Sequence, residues 1–113
     1  MGAIKALRDV ARVQPILSAA DSVNLGAAYI LVDQPRDAIA AMGRAVQRYD
    51  QNPYVHAMLA GAYAAVGQMP DAAAEAGIVK RLLPSFVAKD FATQLRDQGQ
   101  RSKLVATLQR AGL

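Results

Sequence analysis

The chain has no cysteine among its 113 residues. That excludes disulfides and thiolate metal sites, and it suits a reducing compartment, so a cytoplasmic location is expected. Histidine occurs once, as His56. No second histidine or cysteine stands at ligand spacing, so no metal centre is expected. A lone histidine acting as a general base needs a nucleophile and an orienting partner, and none is near it in sequence. His56 therefore reads as a packing or surface residue, and the chain as a non-enzyme with no catalytic residue and no cofactor. Aromatic residues make up only 5% of the chain. They are not interleaved with the basic rows Lys5/Arg8/Arg12, Arg44/Arg48 and Arg96/Arg101/Lys103/Arg110, which argues against single-stranded nucleic acid as a partner. The net charge of +4 is mild; it permits an acidic partner without demanding nucleic acid. No apolar run is long enough to span a bilayer, and Met1-Gly2-Ala3-Ile4-Lys5 opens no signal-peptide core, so no membrane partner is expected. The glycines from Gly61 to Gly67 lack the Lys-Ser/Thr ending of a phosphate loop.

What the chain has in quantity is small apolar residues. Apolar residues reach 53%, and alanine, the best helix former, carries much of that count. An all-α fold follows. The chain also repeats itself. Asn24-Leu25-Gly26-Ala27-Ala28-Tyr29 returns as Met58-Leu59-Ala60-Gly61-Ala62-Tyr63, with Leu25 to Leu59 and Tyr29 to Tyr63 each 34 residues apart. Ala38 maps to Ala72, Met42 to Ala76 and Ala45 to Val79 at the same offset. A fixed period of this length marks stacked helical units.

Prolines and caps divide the repeat into helices. The pattern predicts helices over Ala3–Val13, Ser18–Val32 with Ser18 as N-cap, Pro35–Tyr49, Pro53–Val66 closed by Gly67, and Pro70–Leu83. A further pair follows. Val87, Phe91 and Leu95 form one apolar row, and Leu104, Leu108 and Ala111 form another after a turn at Gln98-Gly99-Gln100.

Leu-small-x-x-Tyr followed by Ala-x-x-x-large-x-x-Ala resembles the tetratricopeptide repeat. The resemblance implies a right-handed α-solenoid of antiparallel pairs, about seven helices in one domain spanning 1–113. Residues 3–15 would be a half repeat or cap, 18–52 and 53–84 full repeats, and 85–113 a divergent capping pair. The tail Leu104–Leu113, closing as Leu-x-x-Ala-Gly-Leu, resembles the end of the C-terminal tetratricopeptide regions of bacterial class III adenylate cyclases and some winged-helix regulators. That would make the chain the interaction end of a larger signalling protein.

In this family the concave surface comes from the first helix of each unit. Carried over by position, it holds Ala20, Val23, Asn24, Ala27, Ile30 and Leu31, then Tyr54, Ala57, Met58, Gly61, Ala64 and Ala65, with Phe91 and Leu95 extending it. No Lys or Arg lines it, which argues against a clamp for a C-terminal carboxylate. An apolar groove of small residues suits an amphipathic helix or apolar segment, of a partner or of the chain itself. The expected function is protein–protein interaction. Self-association as a homodimer through uncovered apolar faces is the second reading, ahead of a nucleic-acid binder or a small enzyme.

Overall fold

The computed structural model describes residues 16–113; the helix expected over Ala3–Val13 lies outside them. The described residues form six helices and no strand: α1 Ala19–Leu31, α2 Pro35–Arg48, α3 Pro53–Ala65, α4 Met69–Leu82, α5 Ala88–Ala92 and α6 Gln98–Arg110. The bounds of α3 and α4 each lie 34 residues after those of α1 and α2, so the period seen in the residues is also a period of the backbone.

Local chemistry sets these ends. Ser18 Oγ accepts from the Asp21 amide at 3.1 Å, and Asp21 adds a negative charge to the first turn of α1. Asn52 Oδ1 accepts from the amides of Tyr54 and Val55, with Pro53 in the first turn of α3. The C-termini of α1 and α3 close alike. Asp33 and Gly67 take positive φ, 61° and 80°. The Gln34 amide then reaches back to the Tyr29 carbonyl at 2.8 Å, and the Gln68 amide to the Tyr63 carbonyl at 2.9 Å. This is the Schellman stop, which turns the chain within three residues. Each stop folds a helix back on its predecessor, giving the packed pairs α1–α2 and α3–α4, with α2 and α1 also packed on α3.

The 34-residue rows are the core of these pairs. Tyr29 and Leu59, at 7% and 2% exposure, are buried, as are Ala38, Met42, Ala45, Ala72, Ala76 and Val79. Close approach explains the small residues. A Cβ at Gly26 would stand 2.9 Å from Met42 Sδ and 3.1 Å from Met58 Cβ.

The last pair departs from the sequence reading in two ways. First, the row Val87, Phe91, Leu95 does not make one helix. α5 is only five residues long, because Thr93 Oγ1 donates to the Asp90 carbonyl and the Leu95 amide bonds back to Ala92 in a turn. Second, Gln98-Gly99-Gln100 is not a turn but the start of α6. Asp97 Oδ1 accepts from the Gln100 amide at 2.8 Å, and this cap overrides the poor helix propensity of glycine. Asp97→Ala is expected to cost about 0.5–2 kcal/mol. Urea unfolding measures the loss, and faster hydrogen exchange at the first amides of α6 locates it.

α6 does not lie beside α4. It packs on α3 and, to a smaller extent, on α1, while α4 touches only α3 among the described helices. Its end is a third Schellman stop. Gly112 has φ 102°, and the Leu113 amide bonds to the Leu108 carbonyl at 3.0 Å. Leu113 packs against Ala60, Ala64, Ala72 and Ala111. The tail spelling Leu-x-x-Ala-Gly-Leu is thus a helix stop with its hydrophobic contact.

Candidate functional site

The fourteen groove positions named from the sequence fall into two groups once α6 is in place. Around Gly61 the surface is covered by the chain itself. A Cβ at Gly61 would meet Leu108 Cδ2 at 3.1 Å, Ile30 Cδ1 at 3.4 Å and Thr107 Cγ2 at 3.6 Å. Ile30, Ala57, Met58, Gly61 and Ala64 are buried, and Ala27, Leu31, Ala65 and Leu95 are half-buried. As open groove lining, the five buried residues are corrected to core: α6 covers Gly61 beside Ile30, and Met58 packs on Gly26 of α1. Lys103 of α6 fastens it, donating from Nζ to the Leu31 carbonyl at 3.1 Å and to Asp33 Oδ1 at 2.7 Å. That contact also supplies a cation at the C-terminus of α1, which its dipole favours.

Among the described residues the other end stays open. A cleft of about 820 Å³ lies between the start of α1, the start of α3, the α4–α5 connection and α5. Of the groove positions, Ala20, Val23, Asn24, Tyr54 and Phe91 line it, Val23 as part of the buried core beneath it. Phe86, Asn52, Asp90 and Gln94 line it too and were not marked by the repeat, since they fall at a unit boundary or in the divergent pair.

Three rings form one wall. Tyr54 and Phe91 are stacked, with centroids 5.6 Å apart and planes 16° from parallel; Phe86 sits 5.9 Å from Phe91 and 6.2 Å from Tyr54. Tyr54 is 40% exposed and Val87 47%. Half of the chain's six Phe and Tyr residues are therefore gathered here, so the low aromatic content is concentrated rather than scattered. The Asn52 carboxamide oxygen is committed to capping α3, which pins the backbone that carries Tyr54.

A second polar cluster lies elsewhere. His56 is 5% exposed. Its Nε2 is 2.7 Å from the Asp50 carbonyl, and its Nδ1 is 2.6 Å from Glu75 Oε2 on α4. The packing reading of His56 is thereby sharpened: it is a buried, doubly bonded crosslink. Nothing in the spacing signals it, because Glu75 comes from the next helix, 19 residues on. No nucleophile is bonded to the ring, and among the described residues no three His, Cys, Asp or Glu side chains gather as a metal site.

Tyr63 adjoins this region. Burial, then the carboxylates of Asp71 and Glu75, push its hydroxyl above the ordinary 10.0. A raised pKa in the folded state contributes stability that is present below the unfolded value and is lost as pH rises through the folded one. Stability above pH 10 is therefore expected to fall more steeply in the native chain than in Tyr63→Phe. Urea midpoints measured below and above that pH check it; parallel curves would remove Tyr63 as the cause.

No described helix is long and apolar enough to cross a membrane. No protein-family model, curated protein or solved structure matches the chain.

Proposed function

We propose that this chain is a tetratricopeptide-like interaction module, a short right-handed stack of helix pairs that holds a partner's peptide segment in the aromatic cleft. The observation that carries the reading is the open wall of Tyr54, Phe86 and Phe91 at the one end of the groove that α6 leaves free. Rigid aromatic side chains supply contact area at low entropic cost, and exposed apolar patches mark interaction surfaces. The repeated helix bounds and the matched Schellman stops support the stacked-repeat reading. The tail's Leu-x-x-Ala-Gly-Leu spelling is explained by the helix stop it builds. The role is binding rather than catalysis.

Random peptides displayed on phage and selected on the immobilised chain test it. Binders are expected, and in amide-resolved NMR they should shift Tyr54, Phe86 and Phe91. Selections that yield nothing above background, or binders that shift only α2 and α4, would overturn the reading. Sedimentation run in parallel addresses the homodimer: a dimer broken by Tyr54→Ala would make a second copy the occupant of the cleft.

A further inference from the structure

The cleft is chemically lopsided. The chain carries 13 Lys and Arg against 9 Asp and Glu, yet among the described residues no Lys or Arg lines the cleft, and the one carboxylate there is Asp90. Asp90 is exposed. Its carboxylate makes no hydrogen bond or ion pair to any described residue; its main-chain oxygen accepts from Thr93. It directly precedes Phe91, whose ring is stacked on Tyr54. An unpaired carboxylate beside an aromatic wall, in an otherwise cationic molecule, is a local inversion of charge.

Each class of occupant fares differently there. An anionic segment would meet Asp90 with no cation of the described lining to offset it. A purely apolar segment would strip water from Asp90 and give nothing in return, which is costly. A cation gains twice, from the carboxylate and from the electron-rich ring faces. Arginine gains more than lysine, because its planar guanidinium is weakly hydrated, stacks on aromatic rings and keeps its in-plane donors for a carboxylate. Asn24, Gln94 and Ser85 lie on the same lining and provide amide and hydroxyl groups for a peptide backbone.

We propose that the occupant of this cleft is a partner segment bearing an arginine, its guanidinium stacked on the exposed Tyr54 ring and paired with Asp90. This rests on the peptide-binding reading above and names the partner's chemistry.

The test is a parallel selection of the same phage library on the native chain and on Asp90→Asn. Asp90 is exposed, so the variant is expected to keep its fold, which circular dichroism and urea unfolding verify. Peptides from the native chain should be enriched in arginine over the library, and those from Asp90→Asn should not. The best native binder is then remade with citrulline in place of its arginine, which keeps the shape and removes the charge. Asp90→Asn should weaken the arginine peptide about two- to fivefold, the range of an exposed ion pair, and leave the citrulline peptide unchanged. Tyr54→Ala should weaken the arginine peptide by about two- to thirtyfold.

Binders that map to the cleft without arginine enrichment overturn this inference and leave the peptide-binding reading standing. Equal arginine enrichment on both chains, or indifference to Tyr54→Ala, places the arginine elsewhere and also overturns it. Enrichment in lysine alone removes the stacking that defines it. A dimer seated on the cleft and broken by Asp90→Lys assigns the cleft to a second copy and overturns both readings, as does an empty selection.

Discussion

Leu108→Ala is expected to destabilise the domain by about 2–5 kcal/mol, the cost of truncating a fully buried leucine. Leu108 has 0% exposure and fills the space that glycine leaves at position 61. Alanine there would remove the contact that seats α6 on α3 and open a void beside Ile30. A domain of this size holds roughly 5–15 kcal/mol in all, so the loss is a large part of the total. Urea unfolding at constant slope measures it. Leu59→Ala, in the seam of the repeated pairs at 2% exposure, should cost about the same if α6 belongs to the same cooperative unit. A Leu108→Ala loss below about 0.5 kcal/mol, the range of ordinary surface changes, would mean that α6 is not docked as described. Hydrogen exchange separates the two cases, since a loosened α6 loses its own protection before that of α3.

Leu108 also marks the limit of what local sequence signals convey. In the two repeated pairs the helix ends fall within one residue of those expected from Ser18, Pro35, Pro53 and Pro70. Those signals are local: a cap or a proline acts on the next turn of chain, and a period of 34 compares the chain with itself. The position of α6 is not local. Nothing in Leu104, Leu108 and Ala111 says which neighbour they meet, and an apolar row fits α3 as well as α4. The small residues Ala57, Gly61 and Ala64 were legible as a surface that something approaches closely. That the visitor is the chain's own last helix depends on the path of residues 83–97, where the repeat has dissolved. Asp97 was available as a cap signal, but Gly99 two residues on argued more loudly for a turn.

The cleft was half legible for the same reason. Tyr54 and Phe91 were marked by helical register. Phe86 and Asp90 were not, since a ring cluster and an unpaired carboxylate are properties of the assembled surface. The tail was legible as a pattern, with its cause hidden. Gly112 is there because the Schellman stop needs a residue at positive φ, and Leu113 because the stop places it against Ala60 and Ala64. A motif that any well-stopped helix can share carries little information about lineage.

His56→Ala is the second large expected loss, at about 1–3 kcal/mol, the cost of leaving buried hydrogen-bonding groups without partners. A carbonyl oxygen can only accept, so Nε2 must carry a proton toward Asp50. Nδ1 then faces a carboxylate oxygen at 2.6 Å, and a proton must lie between them, on the ring or on the carboxyl. The residue thus ties three segments: α3 through its own backbone, α4 through Glu75, and the turn after α2 through Asp50. Removing the ring leaves Glu75 without its partner and the Asp50 carbonyl without a donor, and the second loss does not depend on Glu75. The pair term is therefore isolated by a cycle of His56→Ala, Glu75→Ala and the double variant. A coupling of about 0.5–3 kcal/mol is expected for directly bonded neighbours. Additive losses would show that the 2.6 Å contact contributes nothing in solution, whereas a large coupling makes it the crosslink that fixes α4 against α3.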